Sequence, residues 1–244
     1  MRKMTTALAL SCCLAGLAFA QWRQVTEEEH AFDRKVTTEF EKLLTSAAKK
    51  MSQPWQNTFD PGYHGWMRDQ VDCDHLPHEL RCSISLAFPG ESKEAQELEQ
   101  EQNRYGAVSD SLAALDLENT MANPWDRSEI YVDVVVNYYA LSEGAALDTT
   151  KLPANQRVLH DPGAVLGIYE SYPGSSDRPT SRYWFGAIPF KNDPSTIPHY
   201  DRSHPIRRTD VKNVILTIHT ARELAEEFYR NLDVRAINRI IAEM

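Results

Sequence analysis

The longest β-branched and aromatic run in this chain is IYVDVVVNYYAL, residues 130–141. In an extended chain Val132, Val134 and Val136 share one face, and Tyr131, Asp133, Val135 and Asn137 share the other. Apolar groups on both faces predict a central strand of the main sheet. Clean alternation over 81–88 sets Cys82, Ile84, Leu86 and Phe88 against Ser83, Ser85 and Ala87, which predicts a half-buried strand closed by the turn pair Pro89-Gly90. Further strands are expected over 164–172, 182–190 and 211–219, the first two joined as a hairpin by PGSSDRPT at 173–180.

Elsewhere the period lengthens to three and four. Phe32, Val36, Phe40, Leu43, Ala47 and Met51 form one stripe, Thr26 and Glu29 make a capping box, and Pro54 is a stop, so a helix is expected over 27–52. A highly charged, solvated helix is expected over 91–104 and a short one over 109–117. At the end of the chain, Ala221, Leu224, Ala225 and Phe228 stripe a helix over 221–232, and Asp233 caps a last one carrying Val234, Ile237, Ile241 and Met244. Strands separated by long, uneven connections predict an α+β fold. We expect an antiparallel or mixed sheet of about five strands, covered by the long N-terminal helix and two short C-terminal helices. No repeat or linker divides the chain, so 21–244 is expected to be a single domain.

The first twenty residues change the setting. Arg2 and Lys3 precede an apolar stretch at 7–18, and Ala18-Phe19-Ala20 is an A-x-A cleavage site, the pattern of a secretory signal peptide. The mature chain is therefore expected to begin at Gln21 and to be periplasmic or secreted. Lipidation at Cys12 or Cys13 fits poorly, because Cys12 leaves a very short apolar core. No later stretch is long enough to span a bilayer, so no transmembrane segment is expected. Loss of Arg2 and Lys3 takes the formal net charge from −9 to −11. An acidic surface repels phosphate backbones, and nucleic acid is excluded as an expected partner.

Candidate chemistry is concentrated in two segments. DCDHLPHELRC, residues 72–82, holds Cys73 and Cys82, for which a disulfide is the preferred reading in an exported chain. The alternative is a metal site, in which Cys73, His75, His78 and Cys82 supply the ligand set of tetrahedral zinc. The spacing is not a common finger pattern, and a bridge leaves His75 and His78 for a histidine-only copper or zinc site. HYDRSH, residues 199–204, offers His199, Asp201 and His204 for a metal or for acid–base work. Its proline-rich setting, 191–210, favours a polar exposed loop. Convergence of the two segments would make a composite metal site.

No G-x-S-x-G, phosphate-cradling glycine loop or H-E-x-x-H is present. Asp133 is expected to be edge-facing and solvated. Trp55, Tyr63, Trp66 and Trp125, with Trp184, are set against two readings: core filling, or a platform for a glycan, small molecule or protein partner. These absences favour a non-enzymatic binding or interaction module without a cofactor. A metal-binding protein or metal-dependent hydrolase using His75, His78, His199 and His204 is the alternative.

Overall fold

A computed structural model describes residues 22–57, 70–72, 80–89, 92–109, 124–137, 151–159, 163–171, 178–186 and 209–243. Helix α1, Glu27–Ala48, starts as its sequence requires. The Thr26 side chain accepts from the Glu29 N–H at 3.2 Å, and Glu29 accepts in return from the Thr26 N–H at 2.8 Å. Val36, Phe40, Leu44 and Ala47 form its buried stripe. The helix stops four residues short of the expected 52. The Lys50 and Met51 N–H groups donate to the Ala47 and Ala48 carbonyls, a tightened turn that ends the α-helical ladder before Pro54.

The strands are β1 Trp22–Gln24, β2 Gln56–Asn57, β3 Gln70–Asp72, β4 Leu80–Ala87, β5 Glu129–Val136, β6 Gln156–Leu159, β7 Leu166–Glu170, β8 Thr180–Gly186 and β9 Asn213–His219. β1 and β3 make a separate two-stranded pair. The other seven form one sheet in the order β2-β4-β5-β9-β8-β7-β6, with every neighbouring pair antiparallel. The class is α+β with an antiparallel sheet. All five expected strands are in it, and the sheet is wider than expected because the short polar strands β2 and β6 give no run of β-formers to read. β5 is interior, but the middle position belongs to β9.

β4 and β7 end one or two residues before their expected 88 and 172, and two other strands end four or five residues early. β5 stops at Val136 because Asn137 turns into the left-handed region at φ 58°, and β8 stops at Gly186, at φ 79°. The charged helix α2 spans Lys93–Ser109, longer than the expected 91–104, and takes in the first residue of the expected 109–117 helix. The remainder of that helix lies outside the described residues. A 3₁₀ turn, Pro124–Arg127, leads into β5. The chain closes with α3, Arg222–Asn231, and α4, Val234–Glu243, where the Asp233 carboxylate accepts from the Ala236 N–H at 3.1 Å.

Register separates the two faces of the sheet. Ile84, Val132 and Ile218 lie in one row, and Cys82, Val134, Leu216 and Tyr183 in the next. Together with Leu80, Leu86, Ile130, Val136, Val214 and Phe185 they bury the main core against α1, α3 and α4. Tyr183 stacks on Tyr229 of α3 with ring centroids 3.7 Å apart. The end of α1 is clipped to α3: Glu227 accepts from the Ser52 N–H at 2.6 Å, and Asn231 Nδ2 donates to the Lys50 carbonyl at 3.1 Å. The second, smaller cluster, Val135, Ile168, Trp184 and Ile215, lies on the opposite face and, among the described residues, includes none from a helix. No described helix is long and apolar enough to cross a membrane.

Candidate functional site

That second face is where the strands present polar side chains. Alternation places Thr180, Arg182 and Trp184 of β8 opposite in direction to the core residues Tyr183 and Phe185. Pairing carries the same parity across the sheet, so Arg182 sits between Thr217 of β9 and Ile168 of β7, and Thr180 between His219 and Glu170. One strand further, Thr217 faces Asp133 and His219 faces Tyr131.

Three features organise this face. His219 Nδ1 lies 3.2 Å from the Thr180 hydroxyl, and its ring centroid is 5.6 Å from that of Tyr131. Burial lowers the His219 pKa below the ordinary histidine value, and Arg182 and Arg178 push it down further, so the neutral imidazole is favoured. At the end of β5, burial pushes the Glu129 carboxyl up, but the hydrogen bonds from Ser85 and Arg178 outweigh it and hold the group below its usual range. Arg178 Nη1 lies 2.7 Å from Glu129. Beside them, burial raises the Asp126 carboxyl, with Arg178 opposing.

The third feature is a recess of about 40 Å³ lined by Gln156, Ile168, Glu170, Thr180, Arg182 and Trp184. Trp184 is 5% exposed, and the Arg182 guanidinium lies over its ring at 5.8 Å from the centroid. Glu170 accepts from Gln156 Nε2 at 3.0 Å and from Asn155 Nδ2 at 3.5 Å, which ties it toward β6. Organic-ligand pockets run to roughly 300–1,000 Å³, so this recess has room for a single head group only. The Thr180 hydroxyl beside His219 has the chemical makings of a nucleophile and base, but Thr180 is 3% exposed and closed to a substrate.

The sequence candidates fall differently. Cys82 lies in the helix-facing core, 3% exposed, as a free thiol that donates to the Thr37 carbonyl at 3.9 Å. Burial, then Glu41, Asp133 and Asp33, push that thiol up to about 12, which opposes thiolate ligation of zinc. Cys73, His75, His78, His199 and His204 lie outside the described residues, as do Tyr63 and Trp66. Among the described residues no group of three or more histidines, cysteines and carboxylates could hold a metal. Trp55 is half-buried, packs against the core and stacks on Phe88 with centroids 4.1 Å apart. Trp125 belongs to the 3₁₀ turn. Asp133 is half-buried on interior β5 rather than at an edge.

Sequence reasoning passed over Arg182, His219, Tyr131, Arg178 and Glu129. Their spacing carried a usable signal, since Arg182, Trp184, Thr217 and His219 alternate with core positions, but only the strand order shows that they share a neighbourhood. No protein-family model matches this chain, and neither a curated protein nor a solved structure matches it.

Proposed function

We propose that this chain is an exported binding or interaction module that offers the second face of its sheet to a ligand. The asymmetry of the two faces carries this reading. α1, α3 and α4 cover one face, whereas the other groups Tyr131, Thr180, Arg182, Thr217 and His219 beside a small apolar cluster that, among the described residues, includes none from a helix. Tyr131, Arg182 and His219 are half-buried among buried neighbours, and such a partly accessible patch of mixed polarity on rigid strands suits recognition of a small molecule, a glycan or a protein surface. Export rests on the pattern of residues 1–20. The structure describes Cys82 as a free thiol, so the Cys73–Cys82 bridge expected of an oxidising compartment is a proposal that an intact mass decides: two missing hydrogens support it, and the full thiol mass retires it.

The test is a thermal-shift screen of mature protein against soluble glycans and small metabolites, followed by hydrogen exchange with any ligand that raises the midpoint. Protection concentrated on β8 and β9 is the expected result. A footprint on α1, α3 or α4 instead would defeat the assignment of the face.

A metal-binding reading has support from topology. Leu80, Val136 and Val214 share one row, so β4 and β9 start at the same end of the sheet with only β5 between them. Two inter-strand spacings amount to about 10 Å. His75 and His78 precede β4 in the chain, and His199 and His204 precede β9. Stoichiometric zinc or copper in protein purified without chelator, lost on replacing either histidine pair, would establish this reading; metal-free protein retires it.

A further inference from the structure

Arg182 differs from Arg178, Arg127 and Arg222 at the borders of the sheet, each of which is ion-paired. Arg178 lies 2.7 Å from Glu129, Arg127 2.5 Å from Glu101 and Arg222 2.6 Å from Glu226. No carboxylate among the described residues makes an ion pair with Arg182, which is half-buried on an interior strand and lines the recess. A guanidinium removed from bulk water is stabilised chiefly by an anionic partner, and its planar fork matches a carboxylate in two parallel N–H···O bonds. Building on the assignment of the second sheet face as the ligand face, we propose that the recess between β6, β7 and β8 is a subsite for the carboxylate of a small organic acid, with Arg182 as its charged partner.

The surroundings select a carboxylate over a phosphate. Glu170 lines the same recess, and its charge repels a dianion more strongly than a monoanion. The volume of about 40 Å³ admits a carboxylate with one or two carbons, so the body of a larger acid lies outward over the sheet. Ile168 and Trp184 give the wall behind the head group its apolar character. Arg178 is committed to Glu129 and does not compete for the anion.

The experiment is a titration of ¹⁵N-labelled mature protein with sodium propionate, followed by two-dimensional amide spectra, with sodium phosphate and sodium chloride at matched ionic strength. Saturable shifts at Ile168, Glu170, Thr180 and the Trp184 indole N–H are expected with propionate in the millimolar range, and not with the other two salts. Arg182→Gln should weaken the response about tenfold or more, and Arg182→Lys less, because the charge stays while the fork is lost. Glu170→Gln should tighten it by about threefold through loss of repulsion, a change of opposite sign that does not depend on the Arg182 variants folding. Absent or non-saturable shifts, equal responses to phosphate, or an unchanged response in either folded Arg182→Gln or Glu170→Gln overturn the subsite. If propionate fails while another ligand still protects β8 and β9, the binding face stands and its carboxylate chemistry falls. If propionate binds through Arg182 and no ligand from the screen protects this face, the subsite stands without the module.

Discussion

Replacing Asn137 tests how the sheet end is held together. Asn137 is 0% exposed and occupies the left-handed region at φ 58° directly after β5. Its side chain spans the approach to β9: Nδ2 donates to the Asp210 carbonyl at 2.9 Å, and Oδ1 accepts from the Lys212 N–H at 2.8 Å. Its own N–H donates to the Asn213 carbonyl at 2.9 Å. Asn137→Ala removes both side-chain bonds, at about 1 kcal/mol each, and puts a Cβ-bearing residue without local side-chain bonding into the left-handed region for about 1 kcal/mol more. The expected loss is about 3 kcal/mol, a fall of roughly 6–12 °C in Tm for a domain of this size. Asn137→Gly loses the same two bonds but escapes the backbone strain, so it should recover about 1 kcal/mol of the deficit. Urea unfolding followed by far-ultraviolet circular dichroism and tryptophan fluorescence measures both variants, with an unchanged m-value as the check that the unfolded state is comparable. An alanine variant within about 0.5 kcal/mol of the parent would refute the clamp, since surface-like substitutions fall in that range. A glycine variant worse than alanine would refute the role of the left-handed backbone.

Gly186→Ala places a Cβ 2.4 Å from the Lys212 carbonyl oxygen at φ +79°, and a loss of about 2–4 kcal/mol in the same urea assay is expected. Thr26→Ala removes the capping box of α1 and should cost about 1 kcal/mol, with the fraying localised by hydrogen exchange to its first turn. Because the folded His219 pKa lies below 6.5, stability is full above 6.5 and declines as the pH falls toward the folded value, where the unfolded chain binds the extra proton. His219→Gln should flatten that part of a stability-versus-pH curve. Glu129 acts lower on the scale: its depressed pKa contributes stability above 4.5 that is lost as the pH falls through the folded value, and Glu129→Gln should shift the acid unfolding limb.

Local interactions made much of this chain legible in sequence. The capping box at Thr26, the stripe from Phe32 to Met51, the alternation through Ile84 and Leu86, and the Asp233 cap depend on residues a few positions apart. The five strands with runs of β-branched or aromatic residues were readable for the same reason, as was the α+β class. Element ends were less readable, because Asn137 stops β5 through bonds to residues 210 and 212, and the Gly186 stop of β8 lies against Lys212. The site lay furthest from view. Arg182, His219 and Tyr131 become neighbours only when β9 inserts between β5 and β8, and the burial that lowers the His219 pKa arises from the same assembly. Sequence periodicity determined which side of each strand a residue takes; strand order alone decided which residues share a surface, because pairing across the sheet is a long-range choice that no local pattern encodes.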